Sequence, residues 1–393
     1  MALDVTAIQG ALAADALDGW LLYDFHGSNP IAAQLTGLAG GPHMTTRRWY
    51  YLIPAAGEPR ALVHAIERHN LDHLPGAKAV YAGRQQLQAG LTELLRGTRR
   101  VAMEYSPECA IPYISRVDAG TVEAIRKLGV VIVSSGDLVQ QFEARWSEAQ
   151  LASHRLASAA LYRIKDRAFA SAAAALKAGR KQTEYDLQQE MAGWFREEGL
   201  VSDADPVVAI GADAGNPHYL PTAVQSRPIV PDDVLLLDLW GKKNEPGAVF
   251  ADITWVAATG RQVPAEAAQA FGSIVRARDA AVRLVEDAAA GGRELRGWEV
   301  DRAARQVLEG DGYGAAILHR TGHSLGENVH GNGTHLDDYE THDDRRLLPG
   351  TGFTVEPGLY FETFGVRTEI NVYRGEREAT VTGPRQMEIV TLR

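Results

Sequence analysis

Up to about residue 145 the chain alternates short apolar runs with amphipathic stretches. GWLLYDF, RWYYLIP, PRALVHAI, RRVAMEY and VVIVSS have strand-type patterning. Segments such as RQQLQAGLTELLRG lie between them, with leucines at helical spacing. Alternation of this kind predicts an α/β layer arrangement. The pattern changes at Ser147. Ser147-Glu148 has the form of a helix start, and the alanine-rich run to Ala178 predicts one long helix closed by Gly179. Further helices are expected from Thr183-Glu184 to Gly199, from Pro264 to about Ala290, and from Gly297 to about Glu309. From Ala315 onward the chain reads as strand and loop. The boundary between two domains is placed near 146, giving residues 1–146 and 147–393.

Composition narrows the partners. The 393 residues carry 40 Lys+Arg against 50 Asp+Glu, a formal charge of −10. Phosphate binding needs a basic footprint, so nucleic acid is excluded as the default partner. Cys109 is the only cysteine, which rules out an intrachain disulfide and suits a reducing compartment. Asp4, Asp15 and Asp18 interrupt the apolar core that a signal peptide requires. No run approaches the ~20 apolar residues of a membrane span. A cytoplasmic protein without a membrane partner is expected.

Carboxylates stand inside apolar strands. VLLLDLW embeds Asp238 and AVFADITWV embeds Asp252, with the turn-like GKKNEPG between them. A buried unpaired carboxylate costs several kcal/mol or more, so each must be protonated, paired or bound to a metal. A hairpin centred near Glu245 would set Asp238 and Asp252 directly opposite each other, with Cβ atoms ~5 Å apart. These two residues alone leave a shared proton, an arginine partner or a cation as alternatives. Glu356 in GFTVEPGLYF and Glu369 in VRTEINVY form a second strand-embedded pair, joined by the short turn ETFG. Pro357-Gly358 breaks that ladder, so its register is not fixed by the sequence, although both glutamates fall toward one end. Four such carboxylates favour a cation, and an oxygen-rich donor set favours a hard divalent one.

Histidines gather upstream of the second pair. LHRTGHSLGENVHG holds His319, His323 and His330, and the loop GNPHY holds His218. Gly322-His323-Ser324-Leu325-Gly326 matches the nucleophile-elbow pattern letter for letter, but the following ENVHGNGTH has no helical periodicity. Ser324 is therefore not expected to be a nucleophile. THLDDYETHDDRR, with His335, Asp337, Asp338, His342, Asp343 and Asp344, lacks calcium-loop spacing and reads as a solvated loop.

Taken as a set, these residues resemble the metallopeptidases of the M24 type with the pita-bread fold, which include methionine aminopeptidase, aminopeptidase P, prolidase and creatinase. The resemblance covers nearly the whole chain: a creatinase/prolidase-like amino-terminal α/β domain, then a pita-bread domain carrying the motifs. It matches Asp238, Asp252-Ile253-Thr254, His323 within Gly322–Gly326, Glu356-Pro357-Gly358 and Glu369 to the family's five metal ligands. By that resemblance Asp252 and Glu369 bridge two divalent ions, Asp238 completes one, and His323 with Glu356 completes the other. Manganese ranks before cobalt or zinc. A water between the ions becomes the nucleophile and Glu356 takes its proton. His218 and His330 position the substrate, Arg367 orients a ligand, and Tyr360 falls four after Glu356 as in aminopeptidase P.

Departures concern the substrate. The segment from Asp238 to Asp252 is a few residues longer than the usual form, and Trp255 replaces the arginine after D-I-T. Where prolidases place a loop arginine for the substrate carboxylate, this chain has His342, with Arg345 and Arg346 nearby. The expected activity is cleavage of the bond before proline, in Xaa-Pro dipeptides first. Action on longer Xaa-Pro peptides as an aminopeptidase P is the alternative, and an inactive interaction module of the same fold comes third. The resemblance implies a homodimer in which GGPHMTTRRWYY, with His43, Arg47, Arg48 and Trp49, completes a neighbouring subunit's site; the residues alone equally allow a solvated basic turn.

Overall fold

The computed structural model describes residues 3–40 and 44–393 and divides into two compact units, Met1–Glu143 and Ala144–Arg393. His43 lies outside the described residues.

The first unit holds strands β1 (Gly19–Asp24), β2 (Trp49–Pro54), β3 (Arg60–His64), β4 (Ala77–Tyr81), β5 (Arg100–Met103) and β6 (Val131–Ser134). They form one sheet in the order β4-β3-β2-β1-β5-β6, with parallel pairing of β1 with β5, β5 with β6 and β3 with β4. Helices α1 (Val5–Ala14), α2 (Pro30–Leu35), α3 (Arg84–Leu94), α4 (Ala119–Arg126) and α5 (Gly136–Val139) accompany the strands. Every residue of β1 is buried. Trp20 and Leu22 pack into one apolar cluster while Leu21 and Tyr23 pack into another, as a central strand covered on both faces requires. The buried Glu104 carboxylate accepts from Trp20 Nε1, Asn29 Nδ2 and Ser135 Oγ, which ties the ends of parallel β1 and β5 together. The sequence expectation missed β4: four of its five residues are exposed, so AKAVY lacks an apolar face.

The second unit begins on α6 (Glu148–Ala178) and α7 (Glu184–Glu197). Ser147 Oγ accepts from Gln150 N, and Gly179 closes α6 at φ 61°. The buried face of α6 runs through Ala157, Leu161, Ile164, Ala168, Ala172 and Ala175, so small residues let the helix lie close on its sheet. That sheet joins β17 (Val390–Thr391), β10 (Ala251–Ala258), β9 (Val234–Lys243) and β7 (Leu200–Val201), with β8 (Val207–Ile210) also on β9. A second sheet orders β11 (Ser324–Leu325), β12 (Thr351–Val355), β15 (Ile370–Arg374) and β16 (Ala379–Val381), while β13 (Gly358–Tyr360) pairs with β14 (Gly365–Arg367). Helices α8 (Ala265–Gly291) and α9 (Gly297–Gly310) pack behind, sharing one core with Phe353, Val355, Ile370 and Val372. Among the described residues no helix is long and apolar enough to cross a membrane.

Candidate active site

Two hairpins build the site. In the β9–β10 hairpin Asp238 pairs with Thr254 and Asp252 with Trp240. The expected face-to-face pairing of Asp238 with Asp252 is thus corrected. The turn folds with Glu245 N–H on Lys243 O and Ala248 N–H on Glu245 O, with Gly247 at φ 76°, which centres the hairpin on Pro246. Moving the centre by one residue moves the pairing by two. Side chains alternate with period two, so both carboxylates stay on one face as diagonal neighbours.

The second hairpin keeps a single register through its break. Val355 pairs with Ile370, and beyond the gap Gly358 pairs with Arg367. Glu356 and Glu369 therefore face each other inside the gap, which only Thr368 N–H on Pro357 O spans, at 3.4 Å. Each glutamate's backbone turns outward instead. Glu356 N–H donates to Thr321 O at 2.7 Å and Glu369 N–H to Thr254 O at 3.2 Å. The second bond docks this hairpin on the edge of β10 away from β9, which β17 covers at Ala257 and Ala258. Side-chain amides complete that edge. Asp252 N–H donates to Asn371 Oδ1 at 3.0 Å while Asn371 Nδ2 donates to Asp252 O, and Gln386 does the same for Val256. The backbone of Asp252 and the amides of Glu356 and Glu369 are thus held in place.

His323 enters from β11, whose Ser324 and Leu325 pair with Phe353 and Gly352. A Cβ on Gly322 would overlap the Thr354 carbonyl, so the close approach requires glycine. His323 N–H donates to Thr354 Oγ1, and that hydroxyl donates to Glu356 Oε1 at 3.0 Å. Ser324 lies in the strand, its hydroxyl accepting from Gly333 N–H with no helix after it, so the site has no nucleophile elbow.

Burial governs the charges here. Asp252 and Glu369 are buried, and loss of solvent with the neighbouring carboxylates raises both pKa values well above the ordinary range. Burial raises Asp238 too, against the opposing pull of Arg367. Burial would also raise Glu356, but His323, His319 and Arg367 outweigh it and hold the carboxyl low. Asp252 Oδ1 and Glu369 Oε1 are buried with no hydrogen-bond partner among the described residues. His323 Nδ1 lies 3.2 Å from Ser324 O, and Nε2 lies 3.5 Å from Asp252 Oδ2 and 3.4 Å from Glu356 Oε1, so a proton on Nδ1 leaves Nε2 free to ligate. One donor atom from each of Asp252, His323 and Glu369 falls within 4.8 Å of the others. Lone pairs aimed at a common point repel unless a cation lies there, so this donor set fits divalent metal.

Around this centre Arg367 pairs with Asp238, donates from Nε to Thr254 Oγ1 at 2.9 Å and reaches Tyr360 Oη at 3.0 Å. Tyr360 Oη in turn meets His319 Nε2 at 2.7 Å, and His319 Nδ1 lies 2.6 Å from Arg320 O. The His330 ring packs edge-on against His323, centroids 4.3 Å apart. His218 is exposed, its backbone N–H on Asn216 Oδ1, and no described contact joins its ring to the cluster.

Thr254, Thr354, Asn371 and His319 had no assigned role in the sequence reading. The three strand residues each stand two places from a carboxylate, and that period-two spacing was the available signal. The acid-rich loop is corrected as well: His335, Asp337 and Asp343 are fully buried, not solvated. Asp337 Oδ1 accepts three backbone N–H groups, and Asp343 binds Arg345 through both oxygens. Arg345 also donates to Asn332 O and Gly333 O, so each of its guanidinium nitrogens holds the fold. His342 is exposed, stacked on Trp298 and bonded to Asp338. In the first unit Trp49 is core at 1% exposure instead of part of a basic loop, and Arg47 bonds Thr46.

Residues 158–376 match the model of metallopeptidase family M24. A protein of Mycobacterium tuberculosis named "Probable dipeptidase PepE" is 30% identical over 244 residues, which are 62% of this chain and 59% of that protein. A Lactobacillus helveticus protein named "Xaa-Pro dipeptidase" is 31% identical over 175 residues, 44% of this chain and 43% of the relative. The matched stretches thus span about half of these relatives' length. The crystal structure of dipeptidase PepE from Mycobacterium ulcerans superposes with a TM-score of 0.71 at 23% identity, covering 99% of this chain and 96% of that one. This likeness shows the fold, two-hairpin pita-bread unit included. The family match spans more than half of the sequence and includes all the strand-embedded carboxylates: the chain belongs to metallopeptidase family M24.

Proposed function

We propose that the protein hydrolyses Xaa-Pro dipeptides with two divalent ions, manganese first, held by Asp238, Asp252, His323, Glu356 and Glu369. The observation that carries the metal reading is the convergence of Asp252, His323 and Glu369, one donor atom of each within 4.8 Å of the others, together with the unpartnered Asp252 Oδ1 and Glu369 Oε1. Such ions, when bound, supply Lewis acidity toward the scissile carbonyl and a water that loses its proton near neutral pH.

The chain's own residues do the rest. Glu356, the carboxyl held low, is the proton acceptor and passes the proton on toward the leaving nitrogen. Arg367 holds Asp238 in place and, through Tyr360, fixes one wall of the cleft. His330, packed on His323, and His218 from its loop contact the substrate carbonyl and leaving group. The Xaa-Pro assignment draws on the name of the L. helveticus relative and on Arg367 and Tyr360 standing where proline-specific members have them. A lone exposed cysteine suits a cytoplasmic setting, and a homodimer in which Arg47 or Arg48 serves a neighbouring site belongs to the same proposal.

The test is hydrolysis of Ala-Pro and Leu-Pro against Ala-Pro-Gly-Gly, with and without added manganese. Dipeptide cleavage that stops on chelation is expected. Cleavage of the tetrapeptide alone would favour an aminopeptidase P, and full activity in metal-stripped protein would end the two-ion reading. Sedimentation measures the oligomer.

A further inference from the structure

β7 and β8 pair with the same edge of β9, Val201 with Lys242 and Val207 with Asp238. Residues 202–206 between them face only residues 239–241 of β9, so the segment bulges outward there. Asp203 rides on that bulge. Trp240, the strand partner of Asp252, donates its indole N–H to Asp203 Oδ1 at 2.6 Å. The register that aims Asp252 at the metal centre thus also sets the direction of Asp203.

Asp203 lines a cleft of about 430 Å³ together with Val201, Lys242, Phe250, Glu327 and His330. His330 is the shared wall, one ring contact away from His323. Asp203 is close enough for its charge to act on both Asp252 and His330. Among the described residues Lys242 is the one Lys or Arg lining the cleft, and its ammonium is engaged by the cleft wall, donating to Glu327 O at 2.6 Å and lying over the Phe250 ring, so it makes no described ion pair with Asp203. The cleft therefore joins the apolar Val201 and Phe250 to the exposed Asp203, whose Oδ1 is held by Trp240.

Resting on the Xaa-Pro reading, we infer that this cleft takes the side chain of the residue before proline and that Asp203 selects a cationic one, Lys or Arg. The proline half of the substrate is an apolar ring with a carboxylate, and Asp203 and Glu327 repel that carboxylate. The half that suits the cleft carries positive charge. Apolar Val201 and Phe250 accept the methylenes of a long side chain, and Asp203 at the rim accepts its charged end. Trp240 is a positioning residue that acts through Asp203.

The test compares kcat/KM of the manganese-loaded full chain for Lys-Pro, Leu-Pro and Glu-Pro. Lys-Pro should lead and Glu-Pro should trail. Asp203→Asn should lower the Lys-Pro to Leu-Pro ratio about five-fold, the size expected of an exposed ion pair, mainly through KM. Asp203→Lys should reverse the order in favour of Glu-Pro. Trp240→Phe should lower the ratio less, with bound manganese unchanged. An unchanged ratio in Asp203→Asn, with all three substrates slowed alike, would overturn the inference, because the carboxylate would then serve the α-ammonium. If no Xaa-Pro substrate is cleaved, the prolyl reading fails. The same ratios for Lys-Ala, Leu-Ala and Glu-Ala then decide the side-chain preference.

Discussion

Thr254 sits directly across the β9–β10 hairpin from Asp238, and its hydroxyl lies 2.7 Å from Glu369 Oε2. That one oxygen accepts from Arg367 Nε and donates to Glu369, with Asp238 Oδ1 at 3.1 Å as a second acceptor. Thr254→Val keeps the shape and removes the hydroxyl. Metal affinity and kcat/KM should each fall by about 10–100-fold, the range seen when groups behind metal ligands are removed. Thr254→Ser should recover most of both. Wild-type values in the valine variant would show that Thr254 only fills space.

Metal stoichiometry separates ligands from substrate contacts. His323→Ala and Glu356→Ala should each lose an ion, read by elemental mass spectrometry of the dialysed protein. His330→Ala should keep both ions and lose about 100-fold in kcat, because a transition-state contact affects mainly rate. Wild-type turnover in His330→Ala would remove this histidine from the mechanism.

The buried Asp343–Arg345 pair holds the 332–333 segment beside Ser324. Asp343→Ala strands a buried guanidinium, a change that costs about 3–5 kcal/mol. The melting midpoint should drop by roughly 10 °C in calorimetry. A shift within ~2 °C would mean that the loop is as loosely held as its charge-rich sequence suggested.

His154 gives a pH signature. Its ring is fully buried between Phe250 O and Thr382 Oγ1, and burial pushes its pKa down to about 4. Unfolded histidine titrates near 6.5. The unfolded chain therefore binds the extra proton between these values, and stability rises with pH across that window. His154's contribution is intact above about pH 6.5 and is lost as pH falls through 4, up to about 3 kcal/mol. Urea midpoints at pH 7 and 4.5 should converge in His154→Gln relative to the wild type; an unchanged gap would assign the acid sensitivity elsewhere.

Much of the site was legible because burial and charge conflict visibly in the sequence. Asp238 and Asp252 stand out among aliphatic neighbours, and α6 announces itself through Ser147 and Gly179. What escaped depends on three-dimensional closure. The pairing of Asp238 with Thr254 turns on one residue in the position of the Pro246 turn, which spacing alone cannot fix. Asp337 and Asp343 look like solvated acids because their partners are backbone N–H groups and an arginine inside the same loop, and backbone donors leave no trace in residue composition. Arg345 was conspicuous as a cation near the site, yet all three of its guanidinium nitrogens are engaged within its own loop and the 332–333 segment.

The bond from Glu369 N–H to Thr254 O, with the hydroxyl contact above it, joins residues 115 positions apart in the chain. Neither hairpin alone presents a complete set of donors, so local contacts cannot assemble the centre early. High sequence separation slows folding, so the docking of the hairpins is expected late in it. A cation offered to the unfolded chain meets scattered carboxylates, whereas the docked hairpins meet it with lone pairs already converged. Binding energy therefore accrues almost wholly to the native state. In stopped-flow refolding, metal should accelerate nothing and appear in the final phase, while slowing unfolding of the finished protein in proportion to its affinity.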